Sequence, residues 1–83
     1  MRVFVYEFIT GGGLFDAGWW PAPESLLCEG AAMAGAVIRD FAACSGVSVT
    51  LLWDQRLPRP EFAGGCDVAD VGSADDHQRA FSQ

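Results

Sequence analysis

Eighty-three residues, 51% hydrophobic and 19% charged with 10 glycines and 4 prolines, make at most one small folded domain and exclude disorder, a low-complexity linker and a two-domain enzyme. The 11 acidic residues face only 5 basic ones, all arginine, for a formal net charge of -6 with no basic run, so nucleic acid and anionic membrane are poor partners. No apolar stretch approaches the ~20 residues of a membrane span, and Glu7 interrupts the start before a signal-peptide core forms, so a cytoplasmic protein is expected.

The first predicted element is a strand over Val3 to Ile9. Val3, Val5 and Ile9 alternate with Phe4, Tyr6 and Phe8, both faces are largely apolar, and this is the pattern of a central parallel strand covered on two sides. Gly11-Gly12-Gly13 ends it, because three glycines weaken a strand and permit positive φ. A loop is expected from Leu14 through Trp19 and Trp20 to Pro21-Ala22-Pro23, where two prolines preclude regular structure. The tryptophans read as lining a pocket, as buried against another domain or as core packing.

From Glu24 the apolar residues Leu26, Leu27, Met33, Ala34, Val37, Ile38 and Phe41 recur at three- and four-residue spacing, which predicts a helix over 24–44 with Ser45-Gly46 as its stop. Gly30 and Gly35 lie inside it and each costs up to about 1 kcal/mol against alanine, so either close packing on the sheet or simple tolerance explains them. Val47 to Trp53 reads as a second strand, completing a βαβ unit, and Cys66 to Val71 as a short third one after a proline-containing loop. Ser73 is a natural N-cap for a final helix that opens at Ala74 with its carboxylates in the first turn. An alternating pattern that stops on a helix is expected to be the interior of a larger α/β domain.

Right-handed crossovers bring the carboxyl ends of the first two strands to one edge of the sheet, where ligands of open α/β sheets bind. Glu7, Thr10, Gly11, Gly12, Gly13, Ser25 and Asp54 converge there and are the candidate site, with the glycines as a cradle. Glu7 at a strand end reads either as a ligand contact or as an acceptor for loop N–H groups, and Asp54-Gln55-Arg56 either as a substrate contact or as a solvated turn. A nicotinamide-dinucleotide site fits poorly: the glycines are not G-x-G-x-x-G, and Asp54 follows them by about forty residues where roughly twenty is usual. The chain has no lysine, which excludes a P-loop. Cys28, Cys44 and Cys66 are odd in number and form no C-x-x-C, so three reduced thiols and no metal site are expected. His77, with no partner at ligand spacing, reads as an exposed helix position.

The run Val5-Tyr6-Glu7-Phe8-Ile9-Thr10-Gly11-Gly12-Gly13, followed by Pro23-Glu24-Ser25-Leu26-Leu27-x-Glu29-Gly30-x-x-Met33, resembles the opening of ATP-grasp ligases of the tyramine–glutamate ligase type. The resemblance continues through Val47 to Trp53, Asp54-x-Arg56 and the helix after Ser73. It implies the N-terminal part of a pre-ATP-grasp domain, a Rossmann-like partial domain of βαβ(βα) order with a small parallel sheet. It also implies a ligase that joins a carboxylate to an amine through an acyl phosphate, with ATP and Mg2+ bound by a catalytic domain absent from this chain. No catalytic residue carries over, and Cys28 stands where such sequences are often basic. The implied partners are that catalytic domain or a second copy of the chain, and, for the whole enzyme, small carboxylate and amine substrates. The alternative is a free-standing α/β binding or interaction module without catalysis.

Overall fold

The computed structural model describes residues 1–17, 20–61 and 66–81. Among these residues three parallel strands, β1 (Arg2–Val5), β2 (Ser48–Asp54) and β3 (Asp67–Val71), lie in the order β1-β2-β3. Arg2 pairs with Ser48 and Val5 with Leu51; Thr50 pairs with Asp67 and Asp54 with Val71. Among the described residues three helices accompany them: α1 (Gly13–Ala17), α2 (Glu24–Ala42) and α3 (Ala74–Phe81). The α/β class, the parallel sheet and the βαβ unit expected from the sequence are present.

The core forms between α2 and one face of the sheet. Ala34 and Ile38 of the helix meet Val5, Val49, Leu51 and Trp53, all at least nine-tenths buried, and Ala31, Phe41, Leu57 and Val68 pack around them. Alternate strand residues point the other way. There Phe4, Leu52 and Ala69 share a cleft with Asp76, Arg79, Ala80 and Phe81, so α3 lies on the opposite face.

Two expectations for the first strand are corrected. It stops at Val5 instead of Ile9, because the backbone of residues 7–13 is taken by turns: Gly11 N–H donates to the Glu7 carbonyl at 2.7 Å and Gly13 N–H to Phe8 at 3.0 Å. The alternation of Glu7 and Ile9 with the strand is therefore a continuation of pattern without a continuation of pairing. It is also an edge strand, with Phe4 62% exposed, and the strand buried on both faces is β2, where Leu51 through Asp54 are all buried.

The loop expected from Leu14 onward begins instead as the single turn α1, which Phe15 N–H opens by donating to Gly12 O, and Leu14 is 1% exposed beneath it. The long helix ends at Ala42, two residues short of the expected end, and Gly46 takes φ +76° in the turn that follows. Ser73 caps α3 as expected: its Oγ accepts from the Asp76 N–H at 3.1 Å. The Asp76 carboxylate in turn accepts the Gly72 N–H at 3.1 Å, a reciprocal arrangement close to a capping box. That N–H, then the Arg79 side chain and Ser73, hold Asp76 below the usual carboxylate value.

Candidate functional site

The carboxyl ends of β1 and β2 and the loops after them form one connected edge. Its centre is Thr10, 1% exposed, whose carbonyl accepts the Asp54 N–H at 2.6 Å and so joins the first loop to the end of β2. Glu7 organises that loop. Its carboxylate accepts the Ile9 N–H at 3.0 Å, the Thr10 N–H at 2.9 Å and the Thr10 hydroxyl at 2.9 Å. Of the two readings of Glu7, the acceptor of loop N–H groups is therefore the one its contacts show.

Gly30 of α2 sits directly against the Glu7 carboxylate, so a Cβ there would collide with Oε1. The glycine inside the helix is thus explained by close approach, to Glu7 and Thr10 of the loop instead of to the sheet. Gly11, Gly12 and Gly13 are all buried. A Cβ at Gly11 would lie 2.7 Å from both the Glu7 carbonyl and Tyr6, one at Gly12 2.5 Å from Val71, and one at Gly13 against Phe8. The chain's own side chains fill the space of the expected cradle. Gly12 also needs its residue type for the backbone, at φ +101°.

Asp54 is corrected from a solvated turn to a fully buried carboxylate, 0% exposed. Arg56 supplies its counter-charge through a two-pronged contact: Nε donates to Oδ1 at 3.0 Å and Nη2 to Oδ2 at 2.7 Å, while the Arg56 N–H adds 2.9 Å to Oδ1. The guanidinium carbon lies over the Phe15 ring, 3.6 Å from its centre, and over the Trp20 ring, 3.8 Å from its centre. Trp20, expected to line a pocket, to meet another domain or to pack in a core, is 41% exposed with its ring against Arg56. Trp19 lies outside the described residues. Ser25 is exposed in the first turn of α2 and makes none of these contacts.

A second cluster was not foreseen. His77 is 8% exposed, corrected from a surface position, because α3 packs against α1 and the loop after β1. Its Nδ1 meets Asp16 Oδ2 at 2.5 Å and its Nε2 meets the Tyr6 hydroxyl at 2.8 Å, with Phe81 closing the group edge-on. A carboxylate can only accept, so the imidazole donates to Asp16 through Nδ1 and turns Nε2 toward the phenol. Burial, then the negative Glu7 and Asp16, raise the Tyr6 hydroxyl above its ordinary value.

The pairing of Arg56 with Asp54 and the Asp16–His77–Tyr6 group are absent from the sequence expectations for different reasons. Asp-x-Arg at a strand end is a local signal for an ion pair and was available. Asp16 and His77 are 61 residues apart, and only packing joins them.

Cys28 and Cys44 are exposed, and burial beside Asp67 pushes the Cys66 thiol up. Among the described residues no three His, Cys, Asp or Glu side chains gather as a metal site. No helix there is long and apolar enough to cross a membrane. A cleft of about 520 Å³ between α2 and the residues after β2 is lined by Leu27, Ala31, Trp53, Leu57 and Pro58. No protein-family model matches the chain, and neither a curated protein nor a solved structure matches it at significant similarity.

Proposed function

We propose that this chain is the N-terminal, non-catalytic part of a carboxylate–amine ligase, a Rossmann-like unit whose carboxyl edge positions substrate or meets an ATP-grasp catalytic domain. The observation that carries this reading is the internal commitment of the edge. Glu7 is used by Ile9 and Thr10, Asp54 by Arg56, and the glycines by packing, so the edge is a pre-shaped surface and its acidic groups are already satisfied. An ATP–magnesium site does not fit these residues, since the glycine backbone is covered and neither carboxylate at the edge is left over as a ligand. Nucleotide chemistry in such an enzyme belongs to another domain.

Two features of the architecture support the Rossmann-like part. Helices cover opposite faces of a parallel sheet, as in doubly wound folds. With α3 on that face, a right-handed crossover to a further parallel strand would run back toward β1, whose outer edge has no strand partner among the described residues.

The test reads the gene's reading frame to its stop codon and assays the whole product for phosphate release from ATP. Release that requires both a carboxylate and an amine is expected. The 83-residue chain alone is expected to show no saturable Mg-ATP binding by calorimetry. Micromolar ATP binding by the chain, or a whole product without carboxylate- and amine-dependent phosphate release, overturns the proposal. A reading frame that stops after Gln83 leaves the free-standing module instead.

A further inference from the structure

We propose that the outward edge of the Arg56 guanidinium binds the carboxylate group of a small molecule. The inference stands on the geometry of the edge alone and holds whether or not the chain serves a ligase.

A guanidinium has two faces and two hydrogen-bonding edges, and here three of these four surfaces are in use. Phe15 and Trp20 cover the faces. Asp54, itself fully buried, holds the side-on edge through Nε and Nη2. None of the hydrogen bonds that Arg56 makes among the described residues uses Nη1. Among the described residues Nη1 and the second N–H of Nη2 therefore carry no hydrogen bond and form an end-on fork, on a side chain that is 27% exposed. Its position is set before any ligand arrives, which lowers the ordering cost of binding.

Charge and shape select the ligand. Arg56 is neutralised locally by Asp54, and the chain as a whole carries -6, so a phosphate dianion is repelled more than a singly charged carboxylate. A planar carboxylate, with one negative charge spread over two oxygens, matches the fork in width and charge. The rings on either side of the guanidinium offer apolar walls, so an aromatic or aliphatic carboxylate is favoured over acetate.

The experiment follows the Arg56 Nε–H and Trp20 indole N–H resonances of the full 83-residue chain, titrated with benzoate, acetate and inorganic phosphate at constant ionic strength. Saturable shifts of both signals with benzoate, smaller ones with acetate and none with phosphate are expected. Arg56→Lys keeps the charge, removes the fork, and is expected to weaken benzoate binding at least tenfold. Trp20→Ala leaves the Asp54–Arg56 pair in place and is expected to weaken it several-fold, so the site stays testable should Arg56→Lys fail to fold. No saturable benzoate response up to about 50 mM, an equal response to phosphate, or unchanged binding in a folded Arg56→Lys overturns the proposal.

Discussion

At the scale of single residues, glycines in this chain do two separable jobs. Gly46 has φ +76° with nothing within 4 Å of a Cβ position, whereas Gly12 combines φ +101° with a Cβ position 2.5 Å from Val71. Gly46→Ala is expected to lose about 1 kcal/mol, the strain of the backbone alone, and Gly12→Ala at least about 2 kcal/mol because overpacking is added. Urea midpoints of the two variants check the ordering. Gly30 adds a third case. Alanine inside a helix ordinarily gains up to about 1 kcal/mol over glycine, but here its methyl group would displace a carboxylate that holds three hydrogen bonds. Gly30→Ala is expected to destabilise the protein by about 1–3 kcal/mol and to become neutral or stabilising in a Glu7→Ala background. Additive effects in that double-mutant cycle would separate Gly30 from Glu7.

At the scale of elements, the Asp16–His77–Tyr6 group ties three of them together: α1, α3 and the segment that leaves β1. Tyr6 is the single tyrosine, so tyrosinate absorbance reports it directly. Its hydroxyl is raised above 10.0, first by burial and then by Glu7 and Asp16. A raised value means that the folded state favours the neutral phenol. The resulting stability is complete below the ordinary value and is lost as pH rises through the folded one. Wild type is therefore expected to lose stability above pH 10.0 more steeply than Tyr6→Phe. Cys66 is also raised and acts in the same direction in both proteins, so the difference between them isolates Tyr6. Denaturant midpoints measured from neutral to strongly alkaline pH check it, and parallel curves would contradict it.

At the scale of the whole molecule, the sheet is only partly enclosed. Among the described residues β1 lies at its edge, and Phe4 and Phe81 are 62% and 58% exposed on the side where α3 lies. An open parallel edge beside exposed aromatic surface is a template for pairing with another chain. The chain is expected to sediment as concentration-dependent oligomers, and Phe4→Lys to shift it toward monomer. A compact monomer at all concentrations, with a sharp melting transition, would instead favour the free-standing module.

Local pattern was enough for α2, β2, β3 and the Ser73 cap, because helical periodicity, β-branched runs and capping chemistry are written within a few residues of where they act. The convergence of Thr10 with Asp54 at the carboxyl edge was also legible, since the handedness of a βαβ unit places strand ends without side-chain detail. What those residues do there was decided by packing. Asp54 became a buried ion pair because Phe15 and Trp20 closed over Arg56, and Glu7 became a loop organiser because Gly30 let it lie against α2. The early end of β1 and the burial of His77 have the same origin. Both depend on contacts between residues distant in sequence, whose energies exist only after the chain has folded, and no local pattern encodes them.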